Sequence, residues 1–136
     1  MIAQEGDDLL YACLNGEFDR AVNLVRSGTS VDFQDEETGY TPAISCCFRD
    51  RATVLQYLID QGAELNRADN NGATAVFIAA QYNSHQCTAL LLQHLADSNK
   101  ARMITALITS AYHNSHECLA LLLQNGADAN KAIHYG

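Results

Sequence analysis

The sequence predicts an all-α fold of stacked helix-turn-helix units, and three observations predict it. First, the chain repeats itself. Gln81-Tyr82-Asn83-Ser84-His85-Gln86-Cys87-Thr88-Ala89-Leu90-Leu91-Leu92-Gln93 returns as Tyr112-His113-Asn114-Ser115-His116-Glu117-Cys118-Leu119-Ala120-Leu121-Leu122-Leu123-Gln124, a shift of 31 residues. Gly39-Tyr40-Thr41-Pro42 matches Gly72-Ala73-Thr74-Ala75 at a shift of 33. Gly28-Thr29-Ser30-Val31-Asp32 matches Gly62-Ala63-Glu64-Leu65-Asn66 at 34, and the element recurs as Leu95-Ala96-Asp97-Ser98-Asn99 and Gly126-Ala127-Asp128-Ala129-Asn130. Self-similarity at such a period marks a repeat architecture. Second, the units carry apolar residues at helical spacing, such as Val54, Leu55, Leu58 and Ile59, or Cys118, Leu119, Leu122 and Leu123. Third, a residue that tolerates positive φ breaks each unit in two: Gly16, Asp50, Asn83 and Asn114.

In chain order, residues 1-136 read as a single domain of four units. Residues 4-34 form an N-terminal cap unit whose first helix is short and polar at its start, with Asp7 and Asp8 suited to a helix N-terminus. Units two, three and four occupy 35-68, 69-100 and 101-131, and 132-136 begins a further one. Thr41 and Thr74 open first helices as N-caps, and Pro42 suits a first helical turn. Ala12-Cys13, Cys46-Cys47, Ala79-Ala80 and Ser110-Ala111 are small enough to let neighbouring helices approach closely. Gly28, Gly62 and Gly126 end the second helices, and an extended stretch leads to a turn such as Asp69-Asn70-Asn71-Gly72. One unit cannot bury its two-helix face alone, so neighbours stack into a continuous core. Leu119, Leu122 and Leu123 read as internal, and Gly136 stands where another unit would begin. That predicts further repeats, or self-association, at the C-terminal end.

Composition narrows the function. The 136 residues are 48% apolar and 18% charged, enough for a folded domain that buries roughly two thirds of the unfolded chain's surface. The net charge is -8, which disfavours both the phosphate backbone of nucleic acid and an anionic membrane surface. Residues 1 to 37 hold 9 acids and 2 bases, so nearly all the excess sits at one end, as a solvated first layer or as a surface that steers a cationic partner. The start of the chain is acidic, unlike a secretory signal, and Met103 to Ala111 is too short to span a bilayer. Five cysteines, an odd number without framework spacing, and no Asn-x-Ser/Thr site predict a reducing intracellular compartment, the cytoplasm.

His85-x-Cys87, His116-x-Cys118 and His113-x-x-His116 suggest metal ligation. Zinc, however, needs four ligands converging at about 2.0–2.3 Å. Cys87 and Cys118 fall at equivalent places on successive helices, about 8–10 Å apart by helix packing, so packed structural thiols are expected. Asp69-Asn70-Asn71-Gly72 lacks the later carboxylates of a calcium loop. There is no Gly-x-Gly-x-x-Gly, Walker loop or Gly-x-Ser-x-Gly. The expectation is a non-enzyme without cofactor or metal.

The recurring Thr-Pro, the Ala-Ala pairs, the Leu-Leu-Leu runs and Gly-Ala-Asp-x-Asn resemble the ankyrin repeat, most fully over Gly72 to Asn99 and Thr105 to Asn130. Ile44, Phe77 and Ile108 stand where the family has a His. Leu95 replaces the helix-ending Gly, and the turn at Lys100-Ala101-Arg102-Met103 is shortened. The resemblance implies an ankyrin-repeat solenoid with short β-hairpin fingers. It also implies a protein–protein interaction module that binds through its concave face. The register then places Glu36, Glu37, Thr38 and Tyr40 on the second finger and Asn70 and Asn71 at the tip of the third. Phe48 and Arg49, Gln81 and Tyr82, and Tyr112 and His113 fall at the ends of successive first helices. These are the expected partner contacts, the partner being another protein with a cationic surface. Asn66, Asn99 and Asn130 match hairpin asparagines that hydroxylases modify in some members, with a backbone-bonding role as the preferred account. Two rival functions are a substrate-recruiting segment of a larger multidomain enzyme or effector, and a small-molecule or metal sensor.

Overall fold

Ile44, Leu55, Leu58, Val76 and Leu91 lie at the centre of one continuous apolar core, all at most 1% exposed. Burial of each such side chain contributes about 1.5–3 kcal/mol. The computed structural model describes residues 2–94, 108–109, 112–113 and 115–124. Among these the regular elements are helices: α1 (Ile2–Asn15), α2 (Phe18–Arg26), α3 (Pro42–Cys47), α4 (Ala52–Asp60), α5 (Ala75–Gln81), α6 (His85–His94) and α7 (His116–Gln124). Within units, α1 packs on α2, α3 on α4 and α5 on α6; between units, α1 packs on α3 and α3 on α5, with α2, α4, α6 and α7 stacked alongside. Two helical layers result. The small residues explain the close stacking: Ala12, Cys13, Cys46, Cys47, Ala79 and Ala80 are completely buried.

The break residues behave as their types predict. Gly16, Asp50 and Asn83 have φ of 72°, 56° and 54°. Thr41 is extended, and its hydroxyl accepts the Ile44 amide at 3.2 Å. Thr74 has the same backbone but makes no side-chain cap bond. One expectation is corrected. The first helix of the cap unit is not short: α1 has 14 residues, against 6 in α3 and 7 in α5. Gln4, Glu5 and Asp7 are exposed along its first turns. Gly6 lets the Phe33 ring lie against it, where a Cβ would come within 2.2 Å.

The fingers are tight hydrogen-bonded turns, and no strand forms among the described residues. Finger two closes by Asp35 N–H to Tyr40 C=O at 3.0 Å, and finger three by Asp69 N–H to Ala73 C=O at 2.8 Å. These spans are too short for a strand ladder. Gly39, with φ of 77°, sits where a Cβ would meet the Asn70 amide nitrogen at 2.5 Å, so the fingers touch through backbone. In α7, Leu119 is half-buried and Leu123 is 50% exposed. Asn114, Leu95, Lys100–Met103, Gly126 and 131–136 lie outside the described residues, as does the side chain of Leu122.

Candidate functional site

The Tyr40 ring packs on Phe48 at 5.1 Å, and Phe48 on Tyr82 at 5.1 Å and 68°. A finger root and the ends of α3 and α5 are thus joined by one row of rings. Tyr40 and Phe48 are half-buried, whereas Tyr82 is 53% exposed. Rings so placed offer large area at low entropy cost. Beside the row, Arg49 is exposed and donates to Asn15 Oδ1 at 3.1 Å, and Gln81 is half-buried. Tyr112 is 84% exposed, but its ring meets its neighbour His113 at 5.1 Å; His113 Nδ1 lies 3.1 Å from the Thr109 carbonyl.

The finger residues divide by role. Glu36 and Glu37 are exposed. Thr38 is half-buried and donates its amide and hydroxyl to Asp35, both at 2.8 Å. The Thr38 amide bond, then the hydroxyl, holds the Asp35 carboxyl below its ordinary value. Asn71 is exposed and donates its amide to Asp69 Oδ1 at 2.8 Å. Asn70 turns inward to the neighbouring finger: Nδ2 donates to the carbonyls of Glu36 and Glu37 at 3.1 and 3.0 Å, and its amide to Thr38 at 3.0 Å. Gln34 Nε2 ties the Gly39 and Ala68 carbonyls, both at 2.9 Å. Glu36 and Glu37 are therefore presented as an acidic lip on a braced base.

Asn66 is half-buried, and its Oδ1 is buried with no hydrogen-bond partner among the described residues. Asn99 and Asn130 lie outside the described residues. The five thiols are free and buried. Burial pushes Cys46 and Cys118 up, and a thiol contact with Cys47, then burial, does so for Cys87. Cys118 Sγ lies 3.2 Å from Thr88 Oγ1. Among the described residues no three His, Cys, Asp or Glu side chains converge as a metal site requires, and no helix is long and apolar enough to cross a membrane.

Two exposed features were not singled out from the sequence. Tyr11 is 63% exposed on α1, and Phe18, 39% exposed on α2, packs edge-on to Tyr57 at 5.9 Å. The signal for Phe18 was a large ring at the first position of an otherwise polar-faced helix.

A family model described as ankyrin repeats (3 copies) matches residues 9–102 and 66–133. Inversin from Gallus gallus is 31% identical over 81 residues, 60% of this chain and 7% of that protein. The 2-5A-dependent ribonuclease of Homo sapiens is 33% identical over 72 residues, 53% of this chain and 10% of its own length. Tyrosine-protein kinase HTK16 of Hydra vulgaris is 34% identical over 86 residues, 62% and 11% respectively. The matched part is about a tenth or less of each of these relatives.

Proposed function

We propose a docking function from the premise that the chain belongs to the ankyrin-repeat family. Repeats of this family are in general protein–protein interaction modules and not catalysts, although some relatives are enzymes that contain such repeats. The binding face is the concave side made by the fingers and first-helix ends. The observation that carries this reading is the row Tyr40, Phe48 and Tyr82, which opens to solvent at Tyr82. Aromatic residues and Arg dominate interface hot spots. Glu36 and Glu37 beside the row favour a partner with a cationic surface, mainly by speeding encounter. Tyr112, His113 and Arg49 extend the face along the array. Five buried free thiols fit a reducing compartment, the cytoplasm.

The test begins with affinity capture from the native lysate and measures the captured partner against Phe48→Ala and Tyr82→Ala. Binding should weaken by about 1–3 kcal/mol, with stability changing less for Tyr82→Ala because that ring is half free. Normal binding by both variants, with loss on substituting the second helices, would refute the assignment.

A second reading has support from the relatives, because the match is a small part of two enzymes. In it, the same face recruits substrate to a catalytic domain of a larger protein. Reading the gene through both ends of this segment decides between the two. The remaining rival, a small-molecule or metal sensor, predicts a native mass that exceeds the chain's own or that changes with chelator.

A further inference from the structure

An open groove of about 620 Å³ lies on the other layer of the stack, along the outer sides of the second helices. Its lining comes from successive turns of α4 at Ala52, Tyr57 and Asp60 and from α6 at Ala89 and Leu90, with Phe18 of α2 as its wall. Phe18 and Tyr57 brace that wall by their edge-on contact. Ala52 and Ala89 are short, so a partner backbone can approach as closely as packed helices do, about 8–10 Å between axes. The α4 stretch from Ala52 to Asp60 extends roughly 12 Å, about two helical turns.

Charge selects the occupant. Asp60 is the single charged residue in the lining. Gln56 Nε2 donates to its Oδ1 at 2.9 Å, and no bond to Oδ2 is seen among the described residues. Arg26 holds the corresponding place one unit earlier, and no ion pair joins it to Asp60. Asp60 also ends α4, where the helix carries partial negative charge, so a cation is favoured twice. A second copy of this chain fits poorly, because two molecules of net charge -8 repel. We propose that this groove docks an amphipathic helix of a partner protein, its apolar stripe seated between α4 and α6 and a Lys or Arg set against Asp60.

The probes are two synthetic helical peptides with the same Leu stripe, one flanked by a Lys and the other by Gln, titrated with the full chain by fluorescence anisotropy. The Lys peptide should bind saturably. Ala89→Glu and Leu90→Glu should weaken it roughly tenfold or more. Asp60→Asn should weaken the Lys peptide about threefold and leave the Gln peptide unchanged. Tyr82→Ala should alter neither. Thermal unfolding checks each variant, and Thr53→Glu, at an exposed site on the groove edge, replaces Leu90→Glu if that variant does not fold. The proposal is overturned by absence of saturable binding, by indifference to the groove variants, or by equal loss with Tyr82→Ala. It is also overturned by a dimer in sedimentation that Ala89→Glu dissociates, which would make a second copy the occupant.

Discussion

Asp50 and Asn83 do more than break a helix. Each takes positive φ, and each sends its side chain to the next unit. Asp50 Oδ1 accepts the Cys87 amide at 2.8 Å and Oδ2 the Gln86 amide at 3.4 Å, both in the first turn of α6. Asn83 Oδ1 accepts the Cys118 amide at 3.4 Å at the equivalent turn of α7, and its Nδ2 donates to Glu117 at 2.7 Å. That bond holds the Glu117 carboxyl below its ordinary value. The first amides of a helix have no partners within it, so the neighbouring repeat supplies the cap. Gly16 has no such side chain, and Arg51 lies over it instead, its Nε donating to the Leu14 carbonyl at 3.1 Å. Asp50→Ala should therefore destabilise by about 1–2 kcal/mol, losing the cap and straining the backbone. Asp50→Asn, which tolerates the positive φ and keeps one acceptor oxygen for the Cys87 amide while giving up the longer Gln86 bond, should fall between the Ala variant and the parent, nearer the parent. Urea unfolding checks this, and equal stability of the Ala variant would show that the contact is idle.

At the level of elements, the two described fingers act as a pair. Gln34 and Asn70 cross between them, and Asp35 closes the second from within. Asp35 is held below its ordinary value, so its ionised form is preferred in the folded state. The stabilisation it gives is complete above its unfolded pKa of about 3.9 and is lost as pH falls through the lower folded value. The Thr38 amide resonance, followed by NMR on acidification, should shift with a midpoint below that of a free Asp. Titration at or above the free value would mean that the Asp35–Thr38 turn is not formed in solution. The helices differ from the fingers in kind. Apolar spacing along α4 and α6 seats Val54, Leu55, Leu58 and Leu91 in the core, and those contacts are little affected by pH.

For the molecule as a whole, the stack is one core with thiols along it. Cys13, Cys46, Cys47, Cys87 and Cys118 are fully buried and lie in α1, α3, α6 and α7. The raised values at Cys46, Cys87 and Cys118 keep those thiols protonated and poorly nucleophilic. A thiol reagent at about pH 8 should label all five slowly in the native state and quickly once guanidinium unfolds the stack. Rapid native labelling of Cys87 together with Cys118 would place the second helices elsewhere. Links between units strengthen this unity: in the core Ser84 donates its hydroxyl to the Cys47 carbonyl, and at the surface Asp32 Oδ1 accepts the Glu64 amide at 2.8 Å. They join neighbouring units although Ile44 and Phe77 take the place of the family's histidine.

The sequence by itself determined the repeat, the helix pairs, their breaks at Gly16, Asp50 and Asn83, and the small-residue slots, because each is written in spacing a few residues long. It also located Phe48 and Tyr82 at helix ends. Only the tertiary structure decided that Tyr40, Phe48 and Tyr82 form one row while Tyr112 turns to His113. It alone turned Asn70 from a free tip into a brace, left Asn66 Oδ1 without a partner among the described residues, lengthened α1, and opened the groove between α4 and α6. The contacts between units, Phe48 with Tyr82 and Asn70 with Glu36 and Glu37, depend on which atoms of residues more than thirty positions apart come within reach of one another. No local pattern specifies that distance; the stacking of one repeat on the next does.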